Sequence, residues 1–176
     1  TGLDLRRDTI VSFGLVPIRE GRVEVGDSVY QLVDPGDVAL SHASIAVHML
    51  RPVDLKGAPS PEAARGALAD ALRRRFLVTW FETVEAAFLA KLFESGRKEW
   101  LRRSVDVRRL VIALLGDGEG GSLTLTAAAE RFGVPVARPH HALDDSLVTA
   151  QLFLVTASKL AGGRATVRDL LRAGRR

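Results

Sequence analysis

Short apolar segments separated by turn-forming residues occupy the first part of the chain, and this pattern predicts strands. Residues 9–17 (TIVSFGLVP) and 23–33 (VEVGDSVYQLV) are rich in β-branched and aromatic side chains, and the segment Arg19–Arg22 between them is turn-prone. They predict a β-hairpin that ends at the turn residues 34–37. A short helix is expected at Ser44–Leu50.

A helix, a buried strand and a second helix are predicted next. Ser60 is a favourable N-cap and Pro61 suits the first helical position, so a helix is expected to run from there to about Arg75. Phe76–Trp80 (FLVTW) has no polar alternation, which is typical of a central strand buried on both faces. Apolar residues at helical spacing follow in Thr83–Phe93.

The last third of the chain is predicted to be mostly helical. Val105–Leu115 is apolar with an ambiguous period, whereas Leu123–Phe132 and Ala142–Leu160 predict helices, and Thr166 is expected to cap a last short one. Strands first, then strand and helix, then helices predict an α/β sheet with helices packed on it. No repeat or linker divides the chain, so a single domain is expected over residues 1–176.

Composition excludes several classes of protein. With 47% hydrophobic and 26% charged residues, the chain is typical of one soluble domain that buries a core. It has no apolar run long enough to span a membrane and no signal peptide at its start, which favours the cytoplasm. Since it has no cysteine, disulfides and thiolate nucleophiles are excluded, and any metal must be held by carboxylates or imidazoles.

The net charge of +4 depends strongly on arginine. Arginines cluster at residues 73–75, 102–103 and 108–109 and in the C-terminal tail. Such clusters indicate either an anionic partner or simply solvated helix faces, and the charge alone does not decide between them.

The most informative segment is His140-His141-Ala142-Leu143-Asp144-Asp145. It places imidazoles just before a long helix and carboxylates in that helix's first turn. Two interpretations are open: the carboxylates hold a metal, or they only interact favourably with the positive end of the helix.

This segment and the order of elements resemble the DnaQ-like (DEDDh) 3′–5′ exonucleases, a family that includes the proofreading subunit of bacterial DNA polymerase III and ribonuclease T. The resemblance covers nearly the whole chain and implies a ribonuclease H-like fold, a mixed five-stranded sheet with helices on both faces. The family's third motif, a histidine followed five positions later by an aspartate, maps the general base onto His140 and a metal ligand onto Asp145.

The family's first motif is matched only in its second half. Thr1-Gly2-Leu3 resembles the residues that follow the motif's Asp-x-Glu pair, which would lie immediately before Thr1. In the family this acidic pair is on the central strand, so we expect further residues upstream in the natural protein. The resemblance assigns Thr1, Gly2 and Leu3 to the terminal nucleotide of the substrate.

The second motif is matched with departures. Leu77–Leu89 aligns with it, and Glu85 falls where the family has a catalytic aspartate and metal ligand. Trp80 and Phe81 replace the usual His-Asn pair. Because glutamate is one methylene longer than aspartate, its carboxylate is displaced by roughly an ångström, and such displacements can cost about a hundredfold in rate. Two alternatives to this assignment are open. Glu85 is only an exposed residue at a helix start, and Glu82 is either a helix cap or a substitute ligand.

Two further residues match the family's pattern. His48 resembles a histidine that helps to hold the terminal nucleotide, with Met49 where glycine is usual. Asp106 resembles an aspartate found before the family's fifth sheet element, and we interpret it as a cap or turn residue.

The resemblance implies a mechanism. Asp and Glu side chains suit Mg²⁺ or Mn²⁺, the cations that work with phosphate substrates. Two such ions would position the scissile phosphate, and His140 would accept a proton from the attacking water, since histidine titrates near neutral pH. The implied product is a 5′-mononucleotide released from a 3′ end.

The expected partner is a single-stranded or frayed 3′ end of DNA or RNA, with arginines guiding its phosphates. The resemblance allows a homodimer, because some relatives form one. The Gly-Gly break after Leu160 and the basic tail indicate instead a linker to another domain of a larger protein. Two other functions stay open: a DnaQ-like binding module that has lost turnover, suggested by Trp80, Phe81 and Glu85, and a polymerase-associated scaffold.

Overall fold

The computed structural model describes residues 8–116, 123–161 and 166–173. Its strands are β1 (Ser12–Leu15), β2 (Ile18–Arg19), β3 (Arg22–Val23), β4 (Val29–Leu32), β5 (Leu77–Thr79) and β6 (Ser104–Asp106). Its α-helices are α1 (His42–His48), α2 (Pro61–Ala71), α3 (Glu82–Leu92), α4 (Arg97–Arg102), α5 (Val107–Leu115), α6 (Leu125–Arg131), α7 (Ala142–Ala161) and α8 (Val167–Ala173).

The predicted β-hairpin is confirmed, with a second short strand pair in its connection. β1 pairs antiparallel with β4, from Ser12 opposite Leu32 to Leu15 opposite Val29, and the short β2–β3 pair closes the connection between them. β5 pairs parallel with β6, with Val78 opposite Val105.

The strands in the described part of the chain form three two-stranded sheets rather than one sheet of five. The α/β class is nevertheless as predicted. Residues of both β1 and β5 line one cavity, so one strand of each of the two larger pairs contributes to its wall.

Helices cover the strand pairs and bury the core in three groups. Phe13, Val33, Leu68 and Trp100 belong to a first cluster, around the hairpin, α2 and α4. The second cluster joins α5, α6 and α7, and the third joins β6 and α5 to α8. None of the described helices is both long and apolar enough to cross a membrane.

Several helix boundaries follow from local chemistry. The Ser60 hydroxyl accepts a hydrogen bond from Ala63 N–H at 3.3 Å, as expected of an N-cap. α2 ends at Ala71, earlier than predicted, because the chain turns at Arg74, whose φ is 56°. The ambiguous segment after residue 103 is a short strand, β6, followed directly by α5. Sequence analysis did not predict α4, which is mostly polar and buries Trp100.

β1 crosses the first turn of α7 at very short range. A Cβ added to Gly14 would fall 2.5 Å from the Cα of Leu143, a distance at which something must move. Ser146 Oγ donates to the carbonyl oxygens of Gly14 at 2.7 Å and Ala142 at 2.8 Å. Glycine at position 14 therefore lets the start of α7 lie against the strand.

Candidate active site

A cavity of about 770 Å³ lies between β1 and β5, beside the start of α7. Four residues that sequence analysis assigned to the site line it: His48, Glu85, His140 and Asp145. The other three, Thr1, Gly2 and Leu3, lie outside the described residues. Segments distant in sequence thus bring two carboxyl and two imidazole groups to one cavity.

His140 and Asp145 are joined by a hydrogen bond at the start of α7. The backbone N–H of His140 donates to Asp145 Oδ1 at 3.2 Å, and His140 has a left-handed backbone with φ of 64°. Burial raises the pKa of Asp145, and this hydrogen bond and the His140 charge oppose that rise. The turn therefore fixes the backbone position of His140, and the His140 side chain is exposed.

The neighbouring histidine and aspartate have other contacts. Asp144 forms an ion pair with Arg138, at 2.6 Å between Oδ2 and Nε. His141 stacks on Tyr30, with ring centroids 4.6 Å apart, and its Nδ1 lies 3.3 Å from the Asp144 carboxylate. In each tandem pair, one residue lines the cavity and the other packs outside its lining.

Glu85 presents a buried carboxyl group in the first turn of α3. Its Oε2 is withdrawn from solvent and has no hydrogen-bond partner among the described residues. Burial raises the pKa of Glu85 to about 7, and the nearby charges of Asp106 and Glu82 add to the rise. Backbone hydrogen bonds from Glu85 and Phe81 oppose the rise only in part. A buried carboxylate oxygen without a partner is costly, so this position favours either a proton or a bound cation.

Asp106 holds the starts of two helices. It is the N-cap of α5, where Oδ1 accepts from Arg109 N–H at 3.0 Å, and its Oδ2 accepts from Glu82 N–H, the first residue of α3, at 3.2 Å. The prediction of a capping role is confirmed for Asp106. The Glu82 carboxylate lies 3.6 Å from Arg109 Nη1. In the contact with Asp106, Glu82 takes part through its backbone N–H.

His48, at the end of α1, lines the same cavity. Its Nδ1 accepts from Leu50 N–H at 3.0 Å, and its buried Nε2 has no hydrogen-bond partner among the described residues. Burial lowers the pKa of His48, which favours the neutral ring. Met49 has the left-handed φ of 60° that glycine adopts readily, so the backbone keeps the conformation expected where glycine is usual.

The described residues do not by themselves form a metal site. They contain no cluster of three or more His, Cys, Asp or Glu side chains arranged to hold a metal ion. Glu85 and Asp145 nevertheless line the same cavity, and carboxylates are the ligands that Mg²⁺ and Mn²⁺ prefer. The unpartnered Oε2 of Glu85 fits this use.

The sequence matches known exonucleases. The family model for exonucleases (RNase_T) matches residues 1–153. A PolC-type DNA polymerase III of Thermotoga petrophila is 28% identical over 155 residues, which are 88% of this chain and 11% of that protein. The chain therefore spans about a ninth of the length of this curated relative.

Solved structures share the fold. The nuclease domain of 3′hExo, described as a DEDDh family member and bound to rAMP, has a TM-score of 0.72 at 18% identity, covering 90% of this chain and 84% of that one. E. coli Exonuclease I in complex with a dT13 oligonucleotide has a TM-score of 0.75 at 13% identity, over 89% and 39% of the two chains. The Mg²⁺- and Mn²⁺-bound form of S. pombe Pop2p has 0.73 at 16% identity, over 93% and 73%. These likenesses confirm the predicted ribonuclease H-like fold.

Proposed function

Because the chain belongs to the DnaQ-like (DEDDh) exonuclease family, we propose that it is a metal-dependent nuclease domain that removes 5′-mononucleotides from single-stranded or frayed 3′ ends. The observation that carries the proposal is that Glu85, His140 and Asp145 line one cavity. Carboxylates and an imidazole at one cavity are groups that metal-assisted hydrolysis of a phosphodiester uses.

Glu85 and Asp145 would hold Mg²⁺ or Mn²⁺ in a two-metal site. The unpartnered Oε2 of Glu85 and the burial that raises the pKa of both carboxyl groups support this assignment. The metal-bound structure of Pop2p, which has the same fold, supports it as well. When bound, such ions activate the attacking water and stabilise the leaving 3′ oxygen.

The remaining ligands would be an Asp-x-Glu pair upstream of Thr1, on a strand that fills the gap between β1 and β5. The support is the cavity itself, which is lined along the full length of both strands. A strand in that position would join the two larger strand pairs into one sheet. Thr1, Gly2 and Leu3 would then follow the acidic pair and, with His48, contact the terminal nucleotide.

His140 would accept the proton from the attacking water. Its side chain is exposed at the cavity, and its own N–H is fixed on the carboxylate of Asp145. A base held on the same turn as a metal-binding carboxylate would be kept at a constant distance from the reacting water. General bases placed in this way contribute about 10²–10⁴-fold to rate.

The substrate is a nucleic-acid strand whose sugar type stays open. The 3′hExo structure holds rAMP and the Exonuclease I structure holds dT13, so the shared fold is compatible with either sugar. The PolC-type relative is much longer than this chain, which supports attachment to a larger protein.

A binding module without turnover is the second candidate. It is favoured by Glu85 in place of aspartate and by Trp80 and Phe81 in place of His-Asn. This candidate keeps the same cavity and the same nucleic-acid ligand, and it differs only in the absence of hydrolysis.

An end-labelling assay separates the two. A single-stranded oligonucleotide is incubated with the longest natural form of the protein that contains this chain, with Mg²⁺, Mn²⁺ or EDTA. A 5′ label is expected to give a ladder of progressively shorter products, and a 3′ label to give a mononucleotide at once, only with metal. Binding without shortening, by folded protein in both metals, would establish the binding module instead.

A further inference from the structure

The two aromatic residues that replace the His-Asn pair have different surroundings. Trp80 is partly buried and packs against the core cluster that joins α5, α6 and α7. Phe81 is 41% exposed and immediately precedes α3, and both residues line the cavity. Packing against the core therefore explains why an aromatic residue stands at position 80, but it does not explain the aromatic residue at position 81.

Arg108 lies over the Phe81 ring. Its guanidinium carbon is 5.6 Å from the ring centroid, within the range of a cation–π contact. Its Nε donates to the carbonyl oxygen of Leu123 at 3.3 Å, which holds the side chain to the cavity wall. An exposed ring and a fixed positive charge thus line the same cavity as Glu85 and Asp145.

We infer that Phe81 and Arg108 form a nucleotide-binding platform, in which a base stacks on the Phe81 ring and the adjoining phosphate contacts the Arg108 guanidinium. This inference rests on the proposed nucleic-acid substrate and adds a contact next to the reacting phosphate. Phe81 is separated from Glu85 by about one helical turn, roughly 5 Å, so the base would belong to a nucleotide near the cleaved bond. Aromatic rings bind every base through its face, so the platform would be tolerant of sequence.

Charge and shape favour a nucleotide as the occupant. A nucleotide presents a flat apolar face and an anionic phosphate on one unit, which matches an exposed ring beside a guanidinium. Nucleic-acid strands bind in grooves that combine such stacking with positive charge.

The test measures binding of fluorescent single-stranded oligonucleotides in EDTA, so that no hydrolysis interferes. Phe81→Ala and Phe81→Leu are expected to weaken binding about tenfold, whereas Phe81→Trp retains it. Arg108→Gln is expected to weaken binding and to reduce the salt dependence by about one phosphate contact. The matched control is Phe76→Ala, because Phe76 is 54% exposed but lines a different cavity. Circular dichroism checks that each variant is folded.

Oligonucleotides that lack one base show which nucleotide stacks on Phe81. One base at a time is removed near the 3′ end. At one position the removal is expected to reduce the affinity of the natural protein about tenfold but to reduce that of Phe81→Ala only slightly. Equal loss in both proteins at every position, or unchanged binding by Phe81→Ala or Phe81→Leu, would overturn the platform. If the natural protein shortens DNA or RNA and Phe81→Ala binds equally well, the platform fails and the nuclease stands. If the position-specific loss depends on Phe81 but no oligonucleotide is shortened in the presence of Mg²⁺ or Mn²⁺, the platform stands and the nuclease fails.

Discussion

The carboxylate of Asp106 accepts the backbone N–H of Glu82 at 3.2 Å, across 24 residues of sequence. This bond ties the first turn of α3 to the end of β6. Because Glu85 lies in that first turn, the position of its carboxyl group at the cavity depends on a residue from a different strand.

Replacing Asp106 should destabilise the protein. Asp106→Ala leaves the N–H groups of Glu82 and Arg109, whose hydrogen bonds to Asp106 are partly buried, without acceptors. We expect a loss of about 1–4 kcal/mol in the free energy of unfolding. Asp106→Asn keeps one side-chain oxygen and should lose less. Urea unfolding checks this. Asp70→Ala, which removes only an exposed partner of Arg73, should change stability by less than about 1 kcal/mol. Equal effects of the alanine variants at 106 and 70 would contradict the capping role.

The buried carboxyl group of Glu85 should give a pH-dependent stability difference. Its pKa is raised to about 7, so the folded state favours the protonated form. Below pH 4.5 Glu85 is protonated in both the folded and the unfolded state, so its burial carries no ionisation penalty. As the pH rises from 4.5 to about 7 the unfolded state releases the proton first and the protein loses stability, and the whole loss amounts to about 3 kcal/mol above pH 7. Glu85→Gln cannot ionise and should therefore be more stable than the natural protein at pH 8 in EDTA but not at pH 4. A difference in unfolding free energy that is the same at both pH values would show that Glu85 ionises freely.

The close approach of Gly14 to α7 predicts a steric effect. A methyl group at this position has no room beside Leu143, so Gly14→Ala should cost about 1–3 kcal/mol or displace the start of α7. Gly66→Ala is the matched control, because it lies in α2 with nothing within 4 Å of the added carbon. That substitution should be neutral or stabilise by up to about 1 kcal/mol. Thermal unfolding of the two variants checks the contrast, and equal melting temperatures would contradict it.

Sequence alone predicts much of this fold because its signals are local. The Ser60-Pro61 start of α2, the apolar run at β5 and the turn residues of the hairpin each act over a few neighbouring positions. The boundary at Asp106 is different. Strand pairing of β6 with β5 and capping of α5 by Asp106 meet at one residue, and only tertiary contacts decide where the apolar segment changes from strand to helix.

Part of the candidate site could also be predicted from the sequence, because its signals are local. Spacing to a helix start singles out His140 and Asp145, but it does not show that the adjacent His141 packs on Tyr30. Nor can sequence separate a core Trp80 from an exposed Phe81, since both are large aromatic residues. These distinctions depend on which side chains the packed helices bury and which they leave exposed.

The tandem histidines and aspartates allow the most direct test of a single hydrolytic site. Release of a labelled 3′ nucleotide is measured in one turnover with Mg²⁺ or Mn²⁺, using the longest natural form of the protein. His140→Ala and Asp145→Asn should each slow release by about 10²-fold or more, while His141→Ala and Asp144→Asn, whose side chains pack outside the cavity lining, should stay within about tenfold. Loss of activity in His141→Ala with activity retained in His140→Ala would contradict the proposed site.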